Sequence, residues 1–213
     1  MHVLRVRTGD DVVLFNGRGG EYAARVAAIQ KLRVSLDLLE HRAIERESPL
    51  QVTLVQGVSS GERMEFTIRK AVELGVAEIH PLLAASSVAR PKGERAAQRQ
   101  AHWQKIAVSA CEQCGRNRIP VVHPLSDRPA PSGTAGQKIL LTPRGEAAFS
   151  KILKEDENRF VIAAGPEAGF DEREEAAFVA AGFLPAKLGA RVLRTETAAL
   201  AALAALSALR GDF

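Results

Sequence analysis

An α/β fold with a mostly parallel sheet, preceded by a small β-domain, is the fold class this chain predicts. Three observations carry it. From Gln51 onward, short apolar runs alternate with stretches of helical periodicity, which implies parallel strands covered on both faces. Residues 3–40 instead read as short strands separated by turns, in the manner of a compact barrel. Between them, Glu40 to Pro49 is polar and charged, and places the boundary between a domain over 1–48 and one over 49–213.

In the first domain, Val12-Val13-Leu14-Phe15 runs into Asn16-Gly17-Arg18-Gly19-Gly20 and then Glu21-Tyr22-Ala23-Ala24-Arg25-Val26. Asn-Gly between two apolar runs signals a hairpin. No helical pattern follows these glycines, so a phosphate-loop reading loses to the turn. Val34-Ser35-Leu36-Asp37-Leu38 alternates as a further strand should.

The α/β part opens with Val52 to Val58, a buried-type strand, and a helix from Gly61 to Leu74. Met64, Ile68, Ala71, Val72 and Gly75 form one stripe on that helix. Ala77 to Leu83 is the next strand. Glu94 to Cys114 is a long helix, with Trp103, Ile106, Ala107 and Ala110 at helical spacing. Pro120 to Pro124 is a short extended piece. Strands are then expected at Lys138–Leu141, Phe160–Ala163 and Ala186–Leu188, and helices at Gly145–Leu153, Asp171–Ala181 and Glu196–Leu209. Leu200, Leu203, Leu206 and Leu209 make the last helix apolar around most of its circumference. It must be buried, in the core or against a second copy of the chain, and both readings stand.

Ligands in such sheets bind beyond the carboxyl ends of the strands. Three loops fall there: Leu141-Thr142-Pro143, Gly165 to Gly169, and Leu188 to Arg194. Glycine lets main chain approach a ligand closely, and amides at a helix start point outward as donors. The stretch from Ala163 to Ala198 therefore reads as a pocket built largely of main chain.

Several function classes drop out. No G-x-G-x-x-G follows a strand in the α/β part, and there is no Walker motif or G-x-S-x-G elbow. No apolar run approaches the roughly 18 residues needed to span a bilayer, and no signal-peptide core opens the chain, so a cytoplasmic protein is expected. Cys111 and Cys114 have metal-like spacing but no second cysteine pair, and nothing places His102 or His123 beside them. No metal is expected, and the cysteines read as two small thiols on one helical face. Between Arg90 and Arg118, seven basic residues meet two acidic ones, a local excess that suits a polyanionic partner or a solvated face.

Taken together, Gly165-Pro166-Glu167-Ala168-Gly169-Phe170 and Leu188-Gly189-Ala190-Arg191-Val192-Leu193-Arg194-Thr195-Glu196-Thr197-Ala198 closely resemble the RsmE family, bacterial methyltransferases that act on 16S ribosomal RNA. Arg69 to Val76, Trp103 to Ile106, Glu112 to Arg116, and the N-terminal Gly9-Asp10, Leu14 to Gly17 and Gly20 to Tyr22 match as well. Ala168 stands where the family usually has a second glycine. The family also normally has residues before the segment matching His2-Val3-Leu4-Arg5, so the chain is expected to begin about one strand late.

The resemblance implies a SPOUT-type fold with a C-terminal trefoil knot, a PUA-like RNA-binding barrel, a homodimer, and S-adenosylmethionine (SAM) as methyl donor to N3 of one uridine. It places the donor on Leu141, Thr142 and Pro143, on Gly165, Pro166, Glu167 and Gly169, and on Leu188, Gly189, Val192, Leu193, Arg194, Thr197 and Ala198. Uridine N3 carries a proton, so a base or an anion-stabilising cation is required. Glu196 suits the first role and Arg194 the second, unless both only orient the last helix. Arg5, Arg18, Arg25, Lys70, Arg90, Arg116 and Arg118 are expected at RNA phosphates. The competing reading is a ribosomal RNA-binding or assembly factor that keeps the fold without catalysis.

Overall fold

The computed structural model describes residues 6–87, 90–129, 135–210 and 213. The chain divides into two compact units: Met1–Glu47 with Cys111–Ile119, and Ser48–Ala110 with Pro120–Phe213.

In the first unit, β1 (Asp11–Leu14), β2 (Glu21–Gln30) and β3 (Arg33–Arg42) form an antiparallel sheet in that order. The hairpin signal is met, with Leu14 opposite Tyr22. β3 runs further than its apolar alternation suggests. Ala23 pairs with Glu40, Tyr22 with His41 and Glu21 with Arg42, because an edge strand with a solvated face accepts polar residues.

Residues 111–119 join this unit through long-range bonds that a pass along the chain cannot see. Gly19 donates its N–H to Asn117 O at 3.1 Å, and Ile119 donates to Gly17 O at 3.2 Å. Arg118 Nε reaches Glu45 at 2.8 Å, and Arg46, itself paired with Glu21 at 2.7 Å, donates to Gly115 O at 3.2 Å. Arg116 is buried and its guanidinium is ion-paired to Glu47.

The second unit is built on a seven-stranded sheet, all parallel, in the order β6-β5-β4-β9-β7-β10-β8. Its strands are β4 (Gln51–Gly57), β5 (Glu78–Leu82), β6 (Val121–Val122), β7 (Gln137–Leu141), β8 (Ala147–Ala148), β9 (Arg159–Ala164) and β10 (Leu184–Lys187). The helices are α1 (Gly61–Glu73), α2 (Glu94–Cys114, in this unit as far as Ala110), α3 (Phe149–Ile152), α4 (Glu172–Ala180) and α5 (Thr195–Arg210). The central strands are buried on both faces, through Leu54, Ile79, Ile139, Leu140, Phe160 and Ile162. Each such side chain contributes about 1.5–3 kcal/mol, so the middle of the sheet is the rigid part of the unit.

One expected element changes type. The helix over Gly145–Leu153 is mostly not formed: Ala147–Ala148 is an edge strand beside β10, and only Phe149–Ile152 is helical. Pairing of Ala147 with Ala186 satisfies backbone groups that a short helix would leave open.

The cysteines behave as two small thiols. Both are free, and burial pushes the Cys111 thiol up to about 11, which keeps it protonated at neutral pH. Among the described residues no helix is long and apolar enough to cross a membrane.

Candidate functional site

Because every strand of the large sheet points the same way, the carboxyl ends of β7, β9 and β10 open on one side. Their loops enclose a cleft of about 230 Å³. It is lined by Leu141, Thr142 and Pro143, by Gly165, Pro166, Glu167 and Gly169, and by Leu188, Gly189, Val192, Leu193 and Ala198. Arg194 and Thr197 are exposed and do not line it. Further lining comes from Phe170, Arg191 and Thr195, which the motifs contain but which are not among the expected donor contacts, and from Arg144 and Glu175, which the sequence does not single out.

Each wall has a physical anchor. The middle loop closes with Gly169 N–H donating to Pro166 O at 2.9 Å, and its left-handed residue is Gly169, at φ +73°. The next residue, Phe170, enters the core against Phe178, with ring centroids 4.8 Å apart. α4 then starts at Asp171 with a capping box: Glu174 N–H donates to Asp171 at 2.8 Å, and Asp171 N–H donates to Glu174 at 2.9 Å.

Glu175, one residue on, holds the first loop. Thr142 Oγ1 donates to its Oε1 at 2.7 Å, and Arg144 reaches the same carboxylate at 2.8 Å. A second Arg144 N–H donates to Phe170 O at 2.9 Å, which ties the first wall to the second.

Glu167, expected at the donor, is engaged elsewhere. Ser60 N–H donates to its Oε1 at 2.8 Å, and Arg63 approaches at 3.3 Å. Burial raises its pKa, but the Ser60 hydrogen bonds and the Arg63 charge outweigh that and hold the carboxyl below its ordinary value. Its side chain thus braces the loop against the start of α1, while the residue still lines the cleft.

The third wall is joined to the second through a fully buried residue, Gln56, at the end of β4. Its Nε2 donates to Thr195 Oγ1 at 3.0 Å and approaches Gly165 O at 3.4 Å, while Thr195 Oγ1 donates to Gly165 O at 2.5 Å. A glutamine in a buried strand must find partners, and that was the available signal for it. Thr195→Val removes the two bonds that involve its hydroxyl at nearly constant volume. The expected loss is about 1–3 kcal/mol in urea unfolding, with affinity for the cleft's ligand reduced at least severalfold in calorimetry.

Of the two residues expected at the chemistry, Arg194 is exposed, and its side chain has no partner among the described residues. Its carbonyl accepts from Ala198 N–H at 2.8 Å, so it sits at the start of α5. Glu196 lies in the first turn and does not line the cleft; its Oε2 is buried, without a hydrogen-bond partner among the described residues. Neither contacts the other through any bond among the described residues.

The expected RNA contacts separate sharply. Arg116 is ion-paired and only 6% exposed, so it is unavailable to phosphate, and Arg118 is held by Glu45. Arg25 pairs with Asp11, and Lys70 with Glu73, at 2.8 Å each. Arg90 donates to Ala84 O at 2.7 Å. Arg18 is exposed, with no side-chain partner among the described residues. Arg5 lies outside the described residues.

Comparison with known families defines the class first. Residues 46–207 match an RNA methyltransferase domain, and residues 1–39 match an RNA methyltransferase PUA domain. The chain is similar to the Neisseria gonorrhoeae ribosomal RNA small subunit methyltransferase E, solved bound to S-adenosyl methionine. That match has 40% identity and a TM-score of 0.90, and covers 100% of this chain and 88% of that one. Proteins of the same name from Buchnera aphidicola and Bacillus subtilis are 34% and 31% identical. Those matches cover 99% and 100% of this chain, and 84% and 88% of theirs. The chain belongs to the ribosomal RNA small subunit methyltransferase E family.

Proposed function

We propose that this protein methylates N3 of a uridine in the 16S RNA of the small ribosomal subunit, using SAM as donor. The observation that carries the reading is the cleft at the ends of β7, β9 and β10, in a chain whose whole length follows the SAM-bound Neisseria enzyme.

The residues present fit such a donor. Leu141, Pro143, Leu188, Val192 and Leu193 supply apolar walls for a flat base, and the glycines Gly165, Gly169 and Gly189 leave loop main chain open to supply donors and acceptors. Bound there, SAM supplies a methyl group already activated by its sulfonium, so the protein chiefly aligns it with the nucleophile. Three loops cross-braced through Glu175, Arg144 and Gln56 make that alignment rigid.

Uridine N3 must lose its proton as the new N–CH₃ bond forms. Arg194, unpaired among the described residues and placed where the last loop becomes α5, stabilises the uracil anion. Glu196, whose Oε2 has no hydrogen-bond partner among the described residues, takes the proton once its side chain turns out toward the base. The target base leaves its stack to reach them, with Arg18 at phosphates on the N-terminal unit. Strand β10 lies beyond β7, yet α5 returns to pack on α1 and β9. That return supports the SPOUT-type knot. The face of α5 carrying Leu200, Ala201, Ala204 and Ala208 is apolar and only partly covered, which supports a homodimer through it in the cytoplasm.

The test is labelled methyl transfer from SAM to small subunits lacking the modification, with the product nucleoside identified. Incorporation at uridine N3 is expected. Donor binding without incorporation would instead favour the RNA-binding factor.

A further inference from the structure

At the sheet edge away from the cleft, strand alternation brings together three side chains that the methyl-transfer reading does not use. Glu78 and His80 lie two apart on β5 and share a face. Register pairs Glu78 with Val121 and Ile79 with Val122, and His123 N–H donates to Ile79 O at 2.9 Å. His123 therefore falls beside His80 on that face. The two imidazoles stack at 3.8 Å between centroids, 11° from parallel. His123 Nε2 is 2.9 Å and His80 Nε2 3.2 Å from the same oxygen, Glu78 Oε2.

We propose that Glu78, His80 and His123 form a binding site for one divalent transition-metal ion of the zinc, cobalt or nickel type, which cross-links β5 to the segment after β6. The ligand atoms all lie within 4.8 Å of one another. An ion bound at about 2.0–2.1 Å sets neighbouring ligand atoms about 2.9 Å apart at right angles and about 3.4 Å apart at tetrahedral angles. Both oxygen–nitrogen separations fall inside that bracket. Two imidazoles and one carboxylate are a nitrogen-rich set that favours these ions over magnesium or calcium. The site is reachable from solvent, with the Glu78 side chain 46% and the His123 side chain 33% exposed.

Without an ion, each ring N–H can donate to the carboxylate, which is why the cluster is already gathered. Coordination needs the Nε2 lone pair of each neutral ring, so each ring proton moves to Nδ1 and the metal takes its former place facing the carboxylate. A nitrogen lone pair lies in its ring plane, and near-parallel stacked planes have no convenient common point. Binding therefore rotates at least one ring out of the stack, and His123, the more exposed, is the one free to turn.

The experiment uses the tag-free, full-length protein titrated with Ni²⁺ by calorimetry, alongside thermal unfolding and NMR of the histidine ring protons. Expected are one ion per chain, a Tm raised by several degrees at saturating Ni²⁺, and ring-proton signals of His80 and His123 that move. In His123→Ala, and separately in Glu78→Gln, affinity should drop at least about tenfold. Cys114→Ser should bind as wild type, since that thiol is not a ligand. Absence of saturable binding would overturn the proposal. So would binding unchanged in His123→Ala and Glu78→Gln, or binding lost in Cys114→Ser.

Discussion

Arg194→Ala is expected to slow methyl transfer by about 100-fold or more while changing SAM affinity little. The two halves of that result have separate structural reasons. Arg194 does not line the cleft, so the donor loses no contact when its side chain goes. Its guanidinium is exposed and unpaired among the described residues, at the point where the third loop becomes α5. A cation in that position gains its full interaction only once the uracil anion develops, which is the signature of a transition-state contact. Arg194→Lys should recover part of the rate, because the charge returns without the planar donor fork. Single-turnover transfer to unmodified small subunits, with donor affinity from calorimetry, checks both halves. A near-wild-type rate in Arg194→Ala would remove the residue from the chemistry.

Gly57→Ala should damage both stability and donor binding. An added Cβ at Gly57 would lie 2.4 Å from Pro166 Cδ, 2.5 Å from Pro166 N and 2.9 Å from Gly165 C. Two of those atoms are backbone of the middle wall, so no side-chain rotation relieves the clash. Gly165 is confined in turn, since its own Cβ would meet Gly169 Cα at 2.9 Å. The loop therefore moves as a block or not at all. Crowding of this kind costs about 1–3 kcal/mol. Displacing Gly165 also strains its bond from Thr195, so SAM affinity should fall at least tenfold. Urea unfolding and calorimetry on the same preparation measure the two effects. Wild-type values for both would show the loop to be compliant and the cross-bracing argument wrong.

Much of the site was legible because its parts are local. Glycines after apolar runs mark loops at strand ends whatever the rest of the chain does, and a parallel sheet brings such ends to one side. That is why nearly all the residues expected at the donor line one cleft. The parts that were not legible are those whose meaning depends on a distant partner. Glu167 reads as a donor-contacting carboxylate until Ser60 is seen to donate to it, although the residue does line the cleft. Arg116 reads as a phosphate ligand until Glu47 is seen to bury it. Gln56 reads as one more strand residue until Thr195 and Gly165 arrive from more than a hundred positions away.

By itself, then, the sequence determined the alternation of strands and helices, the hairpin, the family and the three loops, since periodicity and turn chemistry act over a few residues. Tertiary structure alone decided which charges are spent in ion pairs, that residues 145–153 split between an edge strand and a short helix, and that residues 111–119 join the N-terminal unit. It also brought Glu78, His80 and His123 to one point. The reason is common to all four: each depends on strand register and on bonds between positions far apart in the chain, and neither leaves a local trace.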